Sequence, residues 1–114
     1  MNTRVVGRYG EKLAAEYLQK NKYRIVERNF NCKYGEIDLI AWDGNCVIFV
    51  EVKARKDDQF GMPREAVNWH KQQTIVKCAT YWLYKNKQTG VPVRFDVVEV
   101  LDGSINHIKD AFRP

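Results

Sequence analysis

The sequence lacks several features that would place it in a well-known functional class. No apolar run among its 114 residues is long enough to cross a membrane, and the N-terminus has no apolar core typical of a secretory signal. Cys32, Cys46 and Cys78 show no CxxC spacing, which argues against a disulfide framework and a zinc site. His70 and His107 have no spaced partner either. We therefore expect a cytoplasmic protein with neither a membrane association nor a small-molecule cofactor.

The composition is that of an ordinary globular protein with a basic surplus. Hydrophobic residues make up 45% and charged residues 29% of the chain. The length suits one domain, residues 1–114, with a modest core. The net charge is +5 and the isoelectric point is near 9.2. A polyanionic partner is therefore expected, and nucleic acid ranks before a membrane surface.

Hydrophobic periodicity and turn residues predict two helices and five strands. The resulting order is α-β-β-β-α-β-β, an α/β domain with a mixed sheet in which strands linked by a helix can be parallel. The first strand has imperfect alternation and is expected near an edge. The predicted helices cover residues 4–20 and 63–87, and the predicted strands cover residues 23–30, 36–42, 46–55, 91–101 and 104–108.

Two acidic residues border the apolar stripe of the first helix. Glu16 has a lysine four residues away on either side, which favours a solvated ion pair. Glu11 lies near glycine and alanine residues, whose small side chains would let the helix approach a sheet closely. Glu11 is therefore the better candidate for an inward-pointing carboxylate. The stripe itself is predicted to contain Val6, Tyr9, Leu13, Ala14, Tyr17 and Leu18.

Charged residues interrupt two apolar strands that form a predicted hairpin. Asp38 lies in the first strand, and Glu51 and Lys53 lie in the second. A two-residue turn at Asp43-Gly44 makes Asp38 and Glu51 diagonal neighbours on one face, with Lys53 beside them. A four-residue loop over residues 43–46 would pair the two acids directly, whereas a three-residue loop would put them on opposite faces.

A carboxylate pair beside a lysine has two interpretations. Hard oxygen ligands suit Mg²⁺, and the Val52 carbonyl is a candidate for a further oxygen. Lys53 would then orient the attacking water and stabilise charge on a phosphate. The alternative is a structural cross-strand ion pair, but such pairs contribute only about 0.2–1 kcal/mol. Spacing alone leaves both interpretations open.

Two further polar residues interrupt apolar patterns. Lys71 lies on the apolar stripe of the second helix, one turn before Ile75. One interpretation is that its stem covers the end of the core while the ammonium group stays in water. The other is a phosphate contact at the mouth of the site. Asp96 interrupts a strand, and it can pair with Arg94 on the same face.

The combined motifs resemble those of a known superfamily. Residues 35–40 read GEIDLI, and residues 47–55 read VIFVEVKAR. Together they resemble the motif of the PD-(D/E)xK, or restriction-endonuclease-like, nucleases. With residues 7–11, the start of the second helix, Lys71 and residues 94–96, nearly the full length resembles the YraN-like family of predicted endonucleases, related to archaeal Holliday junction resolvases. The superfamily's proline before the first acid is replaced here by Ile37.

The resemblance implies roles for specific residues. Asp38 and Glu51 correspond to metal ligands, Lys53 to the catalytic lysine, and Glu11 to an acid supplied by the first helix. A Mg²⁺ or Mn²⁺ cofactor and a DNA substrate, branched or junctional, are implied with them. Cutting a junction takes two sites, which suggests a homodimer. Basic residues that flank the motifs are candidates for phosphate contacts: Arg8, Arg55, Lys56, Arg64 and Lys71.

Three functional hypotheses follow from these patterns. The first is a Mg²⁺-dependent endonuclease acting on DNA. The second is a nucleic-acid-binding module of the same fold with little or no cleavage. The third is an accessory protein whose acidic residues are structural.

Overall fold

The computed structural model describes residues 3–55 and 67–114 of the chain. The predicted order α-β-β-β-α-β-β is confirmed. No helix in these two ranges is both long and apolar enough to cross a membrane. The elements are helices α1 (Thr3–Lys20) and α2 (Trp69–Lys85) and strands β1 (Arg24–Cys32), β2 (Gly35–Asp43), β3 (Cys46–Arg55), β4 (Val93–Leu101) and β5 (Ser104–Phe112).

The strands form one mixed sheet in the order β1-β2-β3-β4-β5. Neighbours joined by short turns are antiparallel, whereas β3 and β4 are parallel. The parallel pair is the one connected through α2, as expected, because two neighbouring strands that run in the same direction require a crossover connection. β1 lies at an edge of the sheet, which confirms the edge position predicted from its sequence.

The two helices cover opposite faces of the sheet, and β3 shows why. Val47 and Phe49 pack in an apolar cluster with the inward side of α2, while Ile48 and Val50 pack in a second cluster with α1. This alternation follows the period of two along a strand. A strand covered on both faces needs apolar residues at every position, which explains the continuous apolar run before Glu51.

The start of α2 differs from its prediction. The helix begins at Trp69 rather than near residue 63, and residues 56–66 lie outside the described part of the chain. Asn68 has an extended backbone, and its side chain accepts a hydrogen bond from the Lys71 backbone N–H at 2.9 Å. This is an N-cap, and it fixes the first turn of the helix. The apolar residues on the sheet-facing side of α2, including Ile75 and Trp82, are buried.

The last two strands also have different bounds. β4 begins after Pro92, which has no N–H to contribute to a sheet. β5 continues four residues beyond the predicted end, to Phe112. Phe112 stacks on Phe95 with ring centroids 5.2 Å apart, so the end of β5 is held by core packing that its polar sequence does not indicate.

Candidate functional site

The β2–β3 turn sets the position of the proposed acids. It consists of Gly44 and Asn45, one residue later than the predicted Asp-Gly turn, and Asp43 pairs with Cys46 across it. Gly44 has φ +61°, as required at the first central position of a type II′ turn. The predicted turn is therefore wrong by one residue. The register of Leu39 with Val50 is the one that the four-residue alternative predicted, in which Asp38 and Glu51 are opposite, and the diagonal arrangement is wrong.

Pairing between β2 and β3 ends just where these acids begin. The last paired residues are Leu39 and Val50. One residue further on, Asp38 Oδ2 accepts a hydrogen bond from the backbone N–H of Val52 at 2.7 Å. A carboxylate thus takes the place of a backbone carbonyl in the ladder. The backbone pairing of the two strands ends here, and Asp38 and Glu51 are the next residues on each strand.

The strand also changes face at Asp38. Ile37 and Leu39 are two residues apart and would share a face in a regular strand, yet Ile37 packs with the α2 cluster and Leu39 with the α1 cluster. On β1, the residue opposite Asp38 is Asn29, whose φ is +52°. The irregularity in both strands lets Asp38 interact with acids on two different elements.

Helix α1 brings Glu11 to this irregularity. Gly10 is buried against β3, where an added Cβ would lie 2.2 Å from the Ala54 Cβ. This close approach places Glu11 beside Asp38 and Asn29. In the amide orientation that satisfies its neighbours, with the side-chain O and N exchanged, Asn29 donates to both carboxylate oxygens of Glu11 at 3.1 and 3.2 Å. Burial and the charge of Asp38 raise the pKa of Glu11. Sequence reasoning missed Asn29, for which its tolerance of positive φ is the only signal.

The orientation of α1 distinguishes its two acidic residues. Glu11 is half-buried and Glu16 is exposed, so the expected inward acid is the correct one. The predicted apolar stripe is partly wrong. Tyr9 is 58% exposed, whereas Ala15, which the stripe omitted, is buried. The helix is rotated toward its smallest residues because they allow the closest approach to the sheet.

Glu51 is the most strongly perturbed acid of the site. Its side chain is 6% exposed, and burial together with the neighbouring Asp38 raises the pKa of Glu51 to about 8. Lys71 Nζ lies 3.5 Å from Glu51 Oε2, and the charges of Lys71 and then Lys53 act in the opposite direction. Glu51 lies on the α2 face of β3, so Lys71 of α2 can pair with it.

Several basic residues surround the acids. Arg8, which sequence reasoning proposed as a phosphate contact, lines a cleft of about 150 Å³ together with Glu11 and Asn29. Lys12 and Arg28 line the same cleft, although neither was proposed. The predictions for Lys56, Arg64 and the Arg55 side chain lie outside the described residues.

The acids do not form a closed metal cage on their own. Within residues 3–55 and 67–114, no group of three His, Cys, Asp or Glu side chains is arranged to hold a metal ion. Asp38 nevertheless interacts with both Glu11 and Glu51. Val52, proposed for its carbonyl oxygen, is held through its N–H by Asp38. A cation here would take ligands from one or two carboxylates and complete its shell with other oxygens.

Most of the chain matches a known protein family. Residues 10–100 match the family described as uncharacterised protein family UPF0102. The chain belongs to this family, which is the YraN-like family. The family is described as uncharacterised, so membership by itself assigns no activity.

Relatives match this UPF0102 chain along nearly its whole length. It is 47% identical to a UPF0102 protein of Caldanaerobacter subterraneus subsp. tengcongensis, over 98% of both chains. It is 48% identical to a UPF0102 protein of Thermodesulfovibrio yellowstonii, covering 94% of this chain and 95% of the relative. A UPF0102 protein of Clostridioides difficile is 45% identical over 98% of this chain and 100% of its own length.

A second polar cluster lies on the α1 face, away from the acids. The expected Arg94–Asp96 pair is present and bidentate, with distances of 2.8 and 2.9 Å. His107 Nε2 lies 2.6 Å from Asp96 Oδ2, and the Tyr17 hydroxyl bonds the other ring nitrogen at 3.1 Å. Arg94 also donates to the Tyr23 hydroxyl at 2.7 Å. Asp96 is fully buried, so this network stabilises the fold rather than facing a substrate.

Proposed function

We propose that this UPF0102 protein is a metal-dependent endonuclease that hydrolyses phosphodiester bonds in branched or junction DNA. The observation that supports this most directly is that Asp38 interacts with both Glu11 of α1 and Glu51 of β3, just beyond the last paired residues of β2 and β3. Such a cluster is costly in an apolar protein interior. A functional role for the acids accounts for that cost better than a structural ion pair does.

The chemistry of these side chains fits a divalent cation. Carboxylate oxygens are hard ligands suited to Mg²⁺ or Mn²⁺, and Mg²⁺ commonly uses only one or two carboxylates and keeps waters or substrate oxygens. Glu51 is buried, and its ionised form is disfavoured by burial and by Asp38. A bound cation would offset this repulsion, polarise a phosphate oxygen and stabilise the charge that develops during hydrolysis.

The residues of the site take distinct roles in this proposal. Asp38 and Glu51 are the principal ligands, Glu11 contributes from the side of α1, and the Val52 carbonyl is a further oxygen. Lys53 lies on the same face as Glu51 and orients the attacking water or stabilises negative charge on the phosphate. The Asp38 carboxylate is held in place by the Val52 N–H, so it needs little rearrangement before the reaction.

The surrounding cations would position the DNA backbone. Lys71 reaches the acids from α2, and Arg8 lies beside Glu11 on the opposite side of the site. Phosphate contacts of this kind fix register and orientation without reading sequence. We also assign phosphate contacts to Arg55, Lys56 and Arg64, on the basis of their sequence positions alone. A homodimer, which would supply two sites to one junction, and a cytoplasmic location complete the proposal.

A cleavage assay tests this function. Linear duplex, single-stranded, flapped and four-way DNA would be incubated with the full chain in Mg²⁺, in Mn²⁺ or in a chelator. We expect metal-dependent cleavage that Asp38→Asn and Glu51→Gln abolish. Lys53→Met should reduce the rate about 100-fold and leave DNA affinity within about twofold. Glu16→Gln changes an exposed acid on α1 and is the matched control. Cleavage that survives all three site substitutions would overturn the proposal.

The second candidate is a nucleic-acid-binding module of the same fold with little or no cleavage. It is favoured by the ion pair between Lys71 and Glu51, which partly neutralises the buried acid without a metal. DNA binding that weakens steeply with salt, with no cleavage of any substrate, would support this candidate. If no nucleic acid binds, the acids are structural.

A further inference from the structure

A groove lined by tyrosines lies on one side of α2. Lys77, Tyr81 and Tyr84 follow one another at helical spacing, and Tyr34 from the β1–β2 turn faces them across a groove of about 430 Å³. The exposed fractions of the three rings are 42% for Tyr34, 38% for Tyr81 and 76% for Tyr84. Large aromatic side chains gain free energy when they are covered, so an exposed group of three marks a binding surface.

The charged side chains that the structure places at this groove are lysines. The segment that contains α2, residues 68–87, has four lysines and no aspartate or glutamate. Lys77 lines the groove itself. Lys33 Nζ lies 5.2 Å from the centre of the Tyr34 ring. A positive surface of this kind attracts polyanions such as nucleic acid.

One ring of the groove is already held in place. Tyr81 is stacked on Phe30, with ring centroids 6.3 Å apart and an angle of 24° between the ring planes. Its orientation is therefore fixed before any ligand binds, which reduces the entropy lost on binding. Fixed and partly open aromatic rings next to cations are the arrangement on which successive unpaired bases stack.

We propose that this tyrosine groove, formed by Tyr34, Lys77, Tyr81 and Tyr84, binds an unpaired segment of a nucleic-acid strand through base stacking and phosphate contacts. Paired bases inside a duplex do not offer their faces to the rings, so the groove selects single-stranded regions. The link between this groove and cleavage rests on the function proposed above, whereas strand binding itself does not.

The groove is within reach of the acids. Tyr81 lies ten residues after Lys71 on α2, which corresponds to roughly 15 Å along the helix. Tyr34 lies four residues before Asp38, which corresponds to roughly 13 Å along a strand. Both routes give a span of about four nucleotides at the stacked spacing of about 3.4 Å. A strand seated in the groove would therefore place a phosphodiester a few nucleotides away at the acidic site.

Binding of short labelled oligonucleotides tests the groove directly. The full chain in a chelator would be titrated into twelve-nucleotide oligo-dT, twelve-nucleotide oligo-rU and a duplex of the same length, with fluorescence anisotropy as the measurement. We expect either or both single strands to bind more tightly than the duplex. Comparison of the two strands shows whether the ligand is DNA or RNA. The chelator keeps the proposed metal site out of the measurement.

Substitutions in the groove provide the decisive comparison. Tyr84→Ala and Tyr34→Ala should each weaken single-strand binding about fivefold or more, because each removes a stacking ring. Tyr84→Phe retains the ring and should stay within about twofold of the original affinity. The salt dependence of binding reports the number of phosphate contacts, and Lys77→Gln should reduce that number by about one. Tyr9→Ala removes a comparably exposed ring on α1 and should change nothing.

The possible failures are distinguishable. Single-strand affinity that is unchanged in Tyr34→Ala and Tyr84→Ala, preferred binding of the duplex, or no single-strand binding would each overturn the groove proposal. Loss of cleavage in Asp38→Asn with single-strand affinity unchanged would support both proposals. Groove-dependent strand binding without cleavage by any form would support the groove and refute the nuclease function.

Discussion

Asp38 accepts a hydrogen bond from the Val52 backbone N–H at 2.7 Å, just beyond the last paired residues of β2 and β3, which are Leu39 and Val50. The bond replaces a rung of the sheet with a carboxylate. It therefore fixes Asp38 between Glu11 on one side and Glu51 on the other. Asp38 therefore has an acid on either side just beyond the last paired residues, and burial together with Asp38 raises the pKa of both Glu11 and Glu51.

Replacing Glu51 should change stability and metal response in opposite directions. The raised pKa means that the folded protein binds an extra proton between the ordinary value of 4.5 and about 8, so ionisation of Glu51 lowers stability as pH rises through that window. Glu51→Gln removes this loss. In a chelator, we expect the free energy of unfolding of the variant, minus that of the original protein, to increase as pH rises from 5 to 9. Urea unfolding measures both values.

Added Mg²⁺ should reverse the difference in stability between Glu51→Gln and the original protein. A cation that binds only the folded protein stabilises it by mass action, and the variant lacks one carboxylate of the site. The original protein should therefore gain more stability from Mg²⁺ than Glu51→Gln gains. Glu16→Gln, in the exposed acid of α1, should follow the original protein under both conditions. A chelator-treated Glu51→Gln that loses stability relative to the original protein at high pH would be inconsistent with a buried, repelled carboxylate.

The contact between α1 and β3 should depend on the size of residue 10. A Cβ at Gly10 would lie 2.2 Å from the Ala54 Cβ, so Gly10→Ala forces the helix away from the strand. We expect a loss of about 1–3 kcal/mol in the free energy of unfolding. Because Glu11 is the next residue, metal affinity should fall as well.

A double substitution separates crowding from other effects of Gly10→Ala. Combining it with Ala54→Gly removes the colliding methyl group and should recover most of the loss. Gly90→Ala is the control, because nothing lies within 4 Å of a Cβ at that position. If Gly10→Ala is as neutral as Gly90→Ala, α1 does not approach β3 as closely as described.

The buried Asp96 network should make stability sensitive to acid. Burial alone would raise the pKa of Asp96, but hydrogen bonds from His107 and Arg94 outweigh it and lower the pKa below the ordinary 3.8. The stabilisation is thus present above about that value and is lost as pH falls through the lowered pKa. Asp96→Asn should cost about 3–5 kcal/mol near neutral pH, because it leaves Arg94 without its buried counter-charge.

Acid titration of this variant provides the check. The stability difference between Asp96→Asn and the original protein should shrink at pH 3 relative to pH 7 in urea unfolding. Asp102→Asn, at an exposed turn where asparagine tolerates the positive φ, should show little difference at either pH. If Asp96→Asn loses the same stability at pH 3 as at pH 7, the charge of Asp96 does not stabilise the network.

The sequence predicted the element order and much of the site because those features depend on local patterns. Periodicity identified both helices and all five strands, and the glycine and alanine residues of α1 correctly favoured Glu11 over Glu16 as the inward acid. The Arg94–Asp96 pair was also predictable, since residues two apart on a strand share a face. Each of these inferences uses neighbours within a few residues of the chain.

Features that depend on distant residues were not predictable. The Asp-Gly turn was placed one residue early because its true position is decided by the whole β2–β3 ladder. Asn29 and Asp38 meet because two strands change face at the same level, and no periodic pattern records that irregularity. Asp96, the partner of His107, lies eleven residues away on β4. His107 itself lies on β5, which continues further than its polar residues indicate.

Calorimetric titration with Mn²⁺ tests the central proposal, that a divalent cation binds with Asp38 and Glu51 as its principal ligands and Glu11 beside them. We expect saturable binding by the full chain. Asp38→Asn and Glu51→Gln should weaken it at least about tenfold, and Glu16→Gln should leave it unchanged. Equal Mn²⁺ affinity in the original protein and in Asp38→Asn, or no binding by the original protein, would contradict the account.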